Sequence, residues 1–197
     1  MSVILTGKTK SIQTSGISSG DAGWKDLVQS FNSAKVAGAK QPSFTPIVGG
    51  IGAYSFSAST ENELVIGFHI NHDFKVGSAI YPHIHWAPAT TGGGKVRWGI
   101  EYTWAMGHNQ QNFSAPVTVY IEQTAPGIVH RHMIAEVADP GITLTGLEPD
   151  SLILARVFRD AAHANDTYTG AVFGFMSDIH YQADHVASLN RKPNFYA

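Results

Sequence analysis

The chain has 197 residues, 43% hydrophobic and only 14% charged, with 13 Lys and Arg against 15 Asp and Glu and a formal net charge of -2. That is enough apolar content for a buried core, and a surface built from Ser, Thr, Asn, Gln and Gly more than from ion pairs points to packing against neighbours. Scattered basic residues exclude an electrostatic footprint for nucleic acid or anionic lipid, and zero cysteine excludes disulfides, thiolate catalysis, thiolate zinc sites and iron–sulfur clusters.

Residues 1–50 have the composition of an arm. "TGKTKSIQTSGISSGDAG" and "NSAKVAGAKQPSFTPIVGGIG" are rich in Ser, Gly, Thr, Lys and Pro and cannot build a core of their own. Between them, in "DAGWKDLVQSF", Trp24, Leu27, Val28 and Phe31 fall at i, i+3, i+4 and i+7 with Asp21 placed to cap. The spacing predicts one short amphipathic helix, too short to stand alone, whose apolar face is a docking surface.

Residues 51–197 read as strands. "AYSFSA", "ELVIGFHI", "AIYPHIHWA", "KVRWGIEYTW", "PVTVYIEQ", "VHRHMIAEV", "SLILARVFRD" and "GAVFGFMSDIHYQ" are rich in β-branched and aromatic residues and punctuated by Gly, Pro, Asn and Asp. Eight such segments predict an all-β, eight-stranded antiparallel sandwich of jelly-roll type, with the "TTGGGK" turn joining the third and fourth strands as a hairpin. In "KVRWGIEYTW", Val96, Trp98, Ile100, Tyr102 and Trp104 share the core face, and Arg97, Glu101 and Thr103 the other. No stretch approaches the roughly 20 apolar residues of a membrane helix, and the apolar run in "MSVILTGKTK" is too short for a secretory signal. The expectation is a protein made in a cytoplasm, with no membrane contact.

The chemistry-bearing candidates are histidines. In "GSAIYPHIHWAP", Tyr81, His83 and His85 point to one side of a strand and Ile80, Ile84 and Trp86 to the other. The spacing G-x5-H-x-H from Gly77 to His85 matches the opening of a cupin metal motif, which makes a metal-dependent cupin-like enzyme one alternative. "WAPATTGGG" supplies no carboxylate companion, however, and the second half of that motif is missing. Asp178, His180 and Gln182 line one face of the last strand, and "LARVFRDAAHANDTY" carries Arg156, Arg159, Asp160, His163 and Asp166. Such a set fits either a catalytic cleft or a hydrogen-bonded subunit interface, and without a nucleophile or a complete ligand set the interface reading is preferred. His69 and His72 read as polar strand-end residues. No P-loop, dinucleotide fingerprint, G-x-S-x-G or H-E-x-x-H occurs.

The order of "GDAGWKDL", "YPHIHW", "RWGIEYTW", "RVFRD" and "DIHYQ" resembles a family of small virion-associated structural proteins of tailed bacteriophages and prophages, over nearly the whole chain. The resemblance implies a non-enzymatic virion component of the capsid-decoration, head-fibre or tail-accessory kind, assembled in the bacterial cytoplasm. It implies partners among capsid, neck or tail proteins and copies of the chain itself, and no direct nucleic acid contact. A homotrimer is the expected symmetry, with Tyr81, His83, His85, Asp178 and His180 at the subunit contact. No organic cofactor is expected; His83 and His85 from three copies would offer six nitrogens for an axial transition metal. A further alternative is receptor or glycan binding by exposed loops such as "AMGHNQQNFSAP".

Overall fold

The computed structural model describes residues 23–36 and 38–196. Ten strands follow one another: β1 (Gly23–Ser30), β2 (Ser43–Val48), β3 (Ile51–Phe56), β4 (Glu63–His69), β5 (Tyr81–Pro88), β6 (Lys95–Met106), β7 (Val117–Thr124), β8 (Met133–Glu136), β9 (Ser151–Arg159) and β10 (Val172–Ala183). All pair antiparallel, in two sheets. The first runs β2-β3-β10-β5-β8, with β1 also on β10; the second runs β4-β9-β6-β7.

Each of the eight expected segments contains a strand, but β1 and β2 raise the count among the described residues from the expected eight to ten, and the expected N-terminal helix does not form. Residues 23–30 are a strand, paired along its whole length with β10, from Gly23 opposite Ala183 to Ser30 opposite Met176. β3 occupies the same edge of β10 only as far as Gly174, so the rest of that edge is open and β1 completes it. A ladder of main-chain hydrogen bonds to a preformed edge outweighs the intrinsic preference of a three-turn helix that would be marginal by itself. Leu27 and Phe31 enter the protein's own core, whereas Trp24 and Val28 are 58% and 55% exposed. The four residues expected to share one docking face are therefore split between two. Residues 43–48 also join this sheet, so two strands from the stretch assigned to an arm, β1 and β2, belong to the sandwich. Residues 1–22 of the expected arm, with the Asp21 cap, lie outside the described residues.

The core lies between the sheets. Phe56, Ile84, Trp86, Val172, Ile179 and Tyr181 come from the first sheet, Phe31 from the short turn after β1, and Leu64, Phe68, Val96, Trp98, Ile100, Ile153 and Val157 from the second sheet. Phe56 and Trp86 both pack edge-on to Trp98, at ring separations of 5.1 and 6.5 Å. The inward face expected of "KVRWGIEYTW" is observed, since Val96, Trp98, Ile100, Tyr102 and Trp104 are all buried. The expected hairpin between the third and fourth segments is not formed: β5 and β6 lie in different sheets, and "TTGGGK" carries the chain across. Gly94 makes that crossing possible, with φ +118° and a hypothetical Cβ only 2.5 Å from the Thr167 carbonyl oxygen.

Candidate functional site

β5 and β10 are adjacent, and their register decides the site. Asp178 sits opposite His83, and His180 opposite Tyr81. On the far side of β10, Asp26 of β1 faces His180; on the far side of β5, Glu136 of β8 faces His83. The outer surface of the first sheet therefore carries a lattice of imidazoles and carboxylates drawn from four strands, although only its β5 and β10 members stand out in the sequence.

Four imidazoles form a row. The rings of His180 and His83 are 4.1 Å apart, those of His83 and His85 5.1 Å, and those of His85 and His132 4.9 Å and nearly parallel. Although His83 points away from the core, its side chain is only 2% exposed, because the neighbouring rings and Glu136 close over it. His83 Nδ1–H donates to the Tyr81 carbonyl at 3.4 Å, and Nε2 faces Asp178 Oδ2 at 3.7 Å. His85 Nε2 is 3.4 Å from the same oxygen, while its Nδ1 shares a hydrogen bond of 2.7 Å with His132 Nε2. His180 meets a carboxylate at each ring nitrogen, Glu136 at Nδ1 and Asp26 at Nε2.

Burial sets the charge states. It lowers the pKa of His83, helped by the electrostatic effect of His180 beside it, and it lowers that of His85 despite the pull of Asp178, so both rings are held toward the neutral form. It also pushes the Asp178 carboxyl above its ordinary range, against the pull of His85 and of the Gln29 backbone amide. Among the described residues, the groups of three whose ligand atoms converge within 4.8 Å of one another are His83, His85 and Asp178, and separately Asp26, His83 and His180.

The missing carboxylate of the sequence reading is thus present. It does not follow His85 along the chain but comes from β10, 93 positions after His85, a distance no spacing motif can span. His83 is enclosed by its own chain and turned to its own Asp178. Tyr81, His83, His85, Asp178 and His180 stand out in the sequence, and they do come together. Asp26 lies in the segment read as a helix, Glu136 carries no signal of its own in the sequence, and His132 belongs to a second H-x-H, "HRH" at 130–132.

Beside this cluster is a groove of about 510 Å³ bordered by Trp24, Tyr81, Glu136, Asp139 and His180. Trp24 and Tyr81 meet edge to face, with centroids 5.5 Å apart.

The other polar candidates do not make a cleft. Arg159 and Asp166 form an enclosed ion pair, Arg97 binds Asp160 and Glu122, and Arg156 lies on the outer face of the second sheet against Glu101 and Glu63. His163 accepts a local bond from the Asn165 amide. His69, His72 and His108 converge on the Asp150 carboxylate at 3.2, 3.0 and 2.7 Å, so the two strand-end histidines are tethered ones. The "AMGHNQQNFSAP" loop is tied back by bonds from Gln111 N to the Met106 carbonyl and from Ser114 N to the Trp104 carbonyl.

Fold and site together define an antiparallel β-sandwich with a histidine–carboxylate cluster on one outer face. No protein-family model matches the chain, and no curated protein does either. Among solved structures it is similar to a non-crystalline-cellulose-specific carbohydrate-binding module, CBM28, at 12% identity and TM-score 0.33, over 77% of this chain and 87% of that one. It is also similar to the CBM22-1-GH10 modules of xylanase 10B from Clostridium thermocellum, at 11% identity and TM-score 0.34, over 85% of this chain and 28% of that one. A third is the mannan-recognising module TmCBM27, at 12% identity and TM-score 0.32, over 81% and 88%. No residue of the site is carried over from these structures.

Proposed function

We propose that the chain is a non-catalytic structural protein of a tailed-bacteriophage particle that works by binding copies of itself and neighbouring virion proteins. The resemblance of its motifs supplies the setting. One observation carries the mode of action: large apolar side chains stand exposed on the outer faces of both sheets, Trp24, Val28 and Ile134 on the first and Val65, Leu152 and Leu154 on the second. A sandwich has its core between its sheets, so apolar residues outside that core bury area only when another surface covers them. Homo-oligomerisation, with a trimer as the preferred symmetry, is the simplest way to cover them, and multivalent display then multiplies modest contacts.

Light scattering and native mass spectrometry of the full chain test this reading. The expected result is one closed oligomer of three times the chain mass, which Val65→Glu with Leu154→Glu, or Val28→Glu with Ile134→Glu, converts to a folded monomer. A wild-type chain that stays monomeric at tens of micromolar refutes it.

The groove favours a second reading, glycan binding. An exposed indole beside a phenol ring offers the apolar faces that sugar rings stack on, and Glu136, Asp139 and His180 offer hydrogen-bonding groups at its border. Intrinsic fluorescence titration against soluble oligosaccharides, repeated with Trp24→Ala, tests it. Saturable binding lost in the variant supports the reading, and a flat response in the wild type removes it.

A further inference from the structure

We propose that His83, His85 and Asp178 form a site for a divalent first-row transition metal of the zinc class, held within a single chain. The inference is independent of what the outer faces bind.

Hydrogen bonding fixes the direction of the His83 lone pair. His83 Nδ1 has only acceptors near it, the Tyr81 carbonyl at 3.4 Å and Glu136 Oε1 at 3.9 Å, so the ring proton stays on Nδ1 and the lone pair is on Nε2. His85 uses Nδ1 in its bond with His132, and its buried Nε2 makes no hydrogen bond. Both Nε2 atoms face one carboxylate oxygen, Asp178 Oδ2, and with His85 Nδ1 as the donor to His132 both turn lone pairs toward it. Asp178 itself is 5% exposed, and its Oδ1 is also buried without a hydrogen bond. His85 Nε2 and Asp178 Oδ1 are thus buried polar atoms without a hydrogen bond, which a native fold leaves only at a cost. A cation among these side chains supplies the missing partner.

The spacing suits a metal ion. Zinc binds imidazole nitrogen and carboxylate oxygen at about 2.0–2.2 Å, which puts neighbouring ligands of a tetrahedral shell roughly 3.3 Å apart. The nitrogen–oxygen separations here are 3.4 and 3.7 Å. Two imidazoles and one carboxylate favour zinc, cobalt or nickel over calcium or magnesium, which prefer all-oxygen shells. The outer partners are also those that metal-bound histidines use: the Tyr81 carbonyl and Glu136 orient His83, and His132 orients His85. Three protein ligands leave one position of a tetrahedral shell for water or an outside donor. The bound ion would tie β5 to β10 in the middle of the first sheet.

The test uses the full chain stripped with a chelator and titrated with Co²⁺, followed by its visible ligand-field absorption, and with Zn²⁺ by calorimetry. The expected result is one metal per chain, an absorption intensity typical of tetrahedral cobalt, and a Tm raised by roughly 5 to 10 °C at a hundredfold excess over Kd. Asp178→Asn and His85→Gln each weaken binding at least 100-fold, whereas His108→Gln, in the separate Asp150 group, leaves it unchanged. Should Asp178→Asn fail the circular-dichroism check for folding, His85→Gln decides, because that side chain lies nearer the surface. Absence of saturable binding overturns the proposal. So does one metal per three chains, or binding that persists in His85→Gln.

Discussion

Replacing Asp166 by Asn separates a structural ion pair from a catalytic one. The Arg159 and Asp166 side chains are 0% and 1% exposed. The guanidinium grips the carboxylate through Nε at 2.9 Å and Nη2 at 2.7 Å, and it also donates to the Gly170 and Tyr168 carbonyls. Asp166 in turn accepts from the Arg97 amide at 3.0 Å, so the pair pins the chain before β10 to the edge of β6. Asn keeps the shape and removes the charge, leaving a guanidinium enclosed without its counter-ion. Breaking one side of such a pair costs about 3 to 5 kcal/mol. For a chain of this length that is a Tm lowered by roughly 6 to 20 °C, with the urea midpoint falling at unchanged m-value. The assay is reversible urea unfolding followed by tryptophan fluorescence, with Arg159→Met/Asp166→Leu as the paired replacement that recovers part of the loss. A Tm lowered by less than about 2 °C would refute the buried-pair account and reopen the cleft reading of "RVFRDAAHAND".

Two further expectations follow from the register and from the second histidine group. As a strand, β1 sends Leu27 inward and Val28 outward, so in a chain made monomeric by Val65→Glu with Leu154→Glu, Leu27→Ala should cost about 2 to 5 kcal/mol and Val28→Ala less than about 0.5 in chemical unfolding; equal costs would point back to a helix. Burial works to raise the Asp150 pKa, but hydrogen bonds from His108 and His72 outweigh it and hold the carboxyl below its ordinary 3.8. A depressed folded-state value adds stability that is fully present above that ordinary value and fades as pH falls below it, so Asp150→Asn should flatten the acid limb of a Tm–pH profile and lower the plateau near neutrality. An acid limb of unchanged slope counts against this.

Much of the architecture is legible along the chain because strand signals are local. Alternation in "KVRWGIEYTW" and the β-branched runs of the other seven segments place the inward residues, and zero cysteine limits any metal site to His, Asp and Glu. The pairing Tyr81, His83 and His85 on one face follows from the two-residue period alone. What the sequence could not supply was anything that depends on which strand lies beside which. Residues 23–30 carry helical spacing yet form a strand because β10 has an open edge there. "TTGGGK" reads as a hairpin yet crosses between sheets, and Asp178 becomes the partner of His83 only through the β5–β10 register. Side-chain period is written in neighbouring residues, whereas strand adjacency arises from closing a core across long stretches of chain. For that reason the imidazoles were visible from the start, and the carboxylate that changes their chemistry appeared only with the folded sheet.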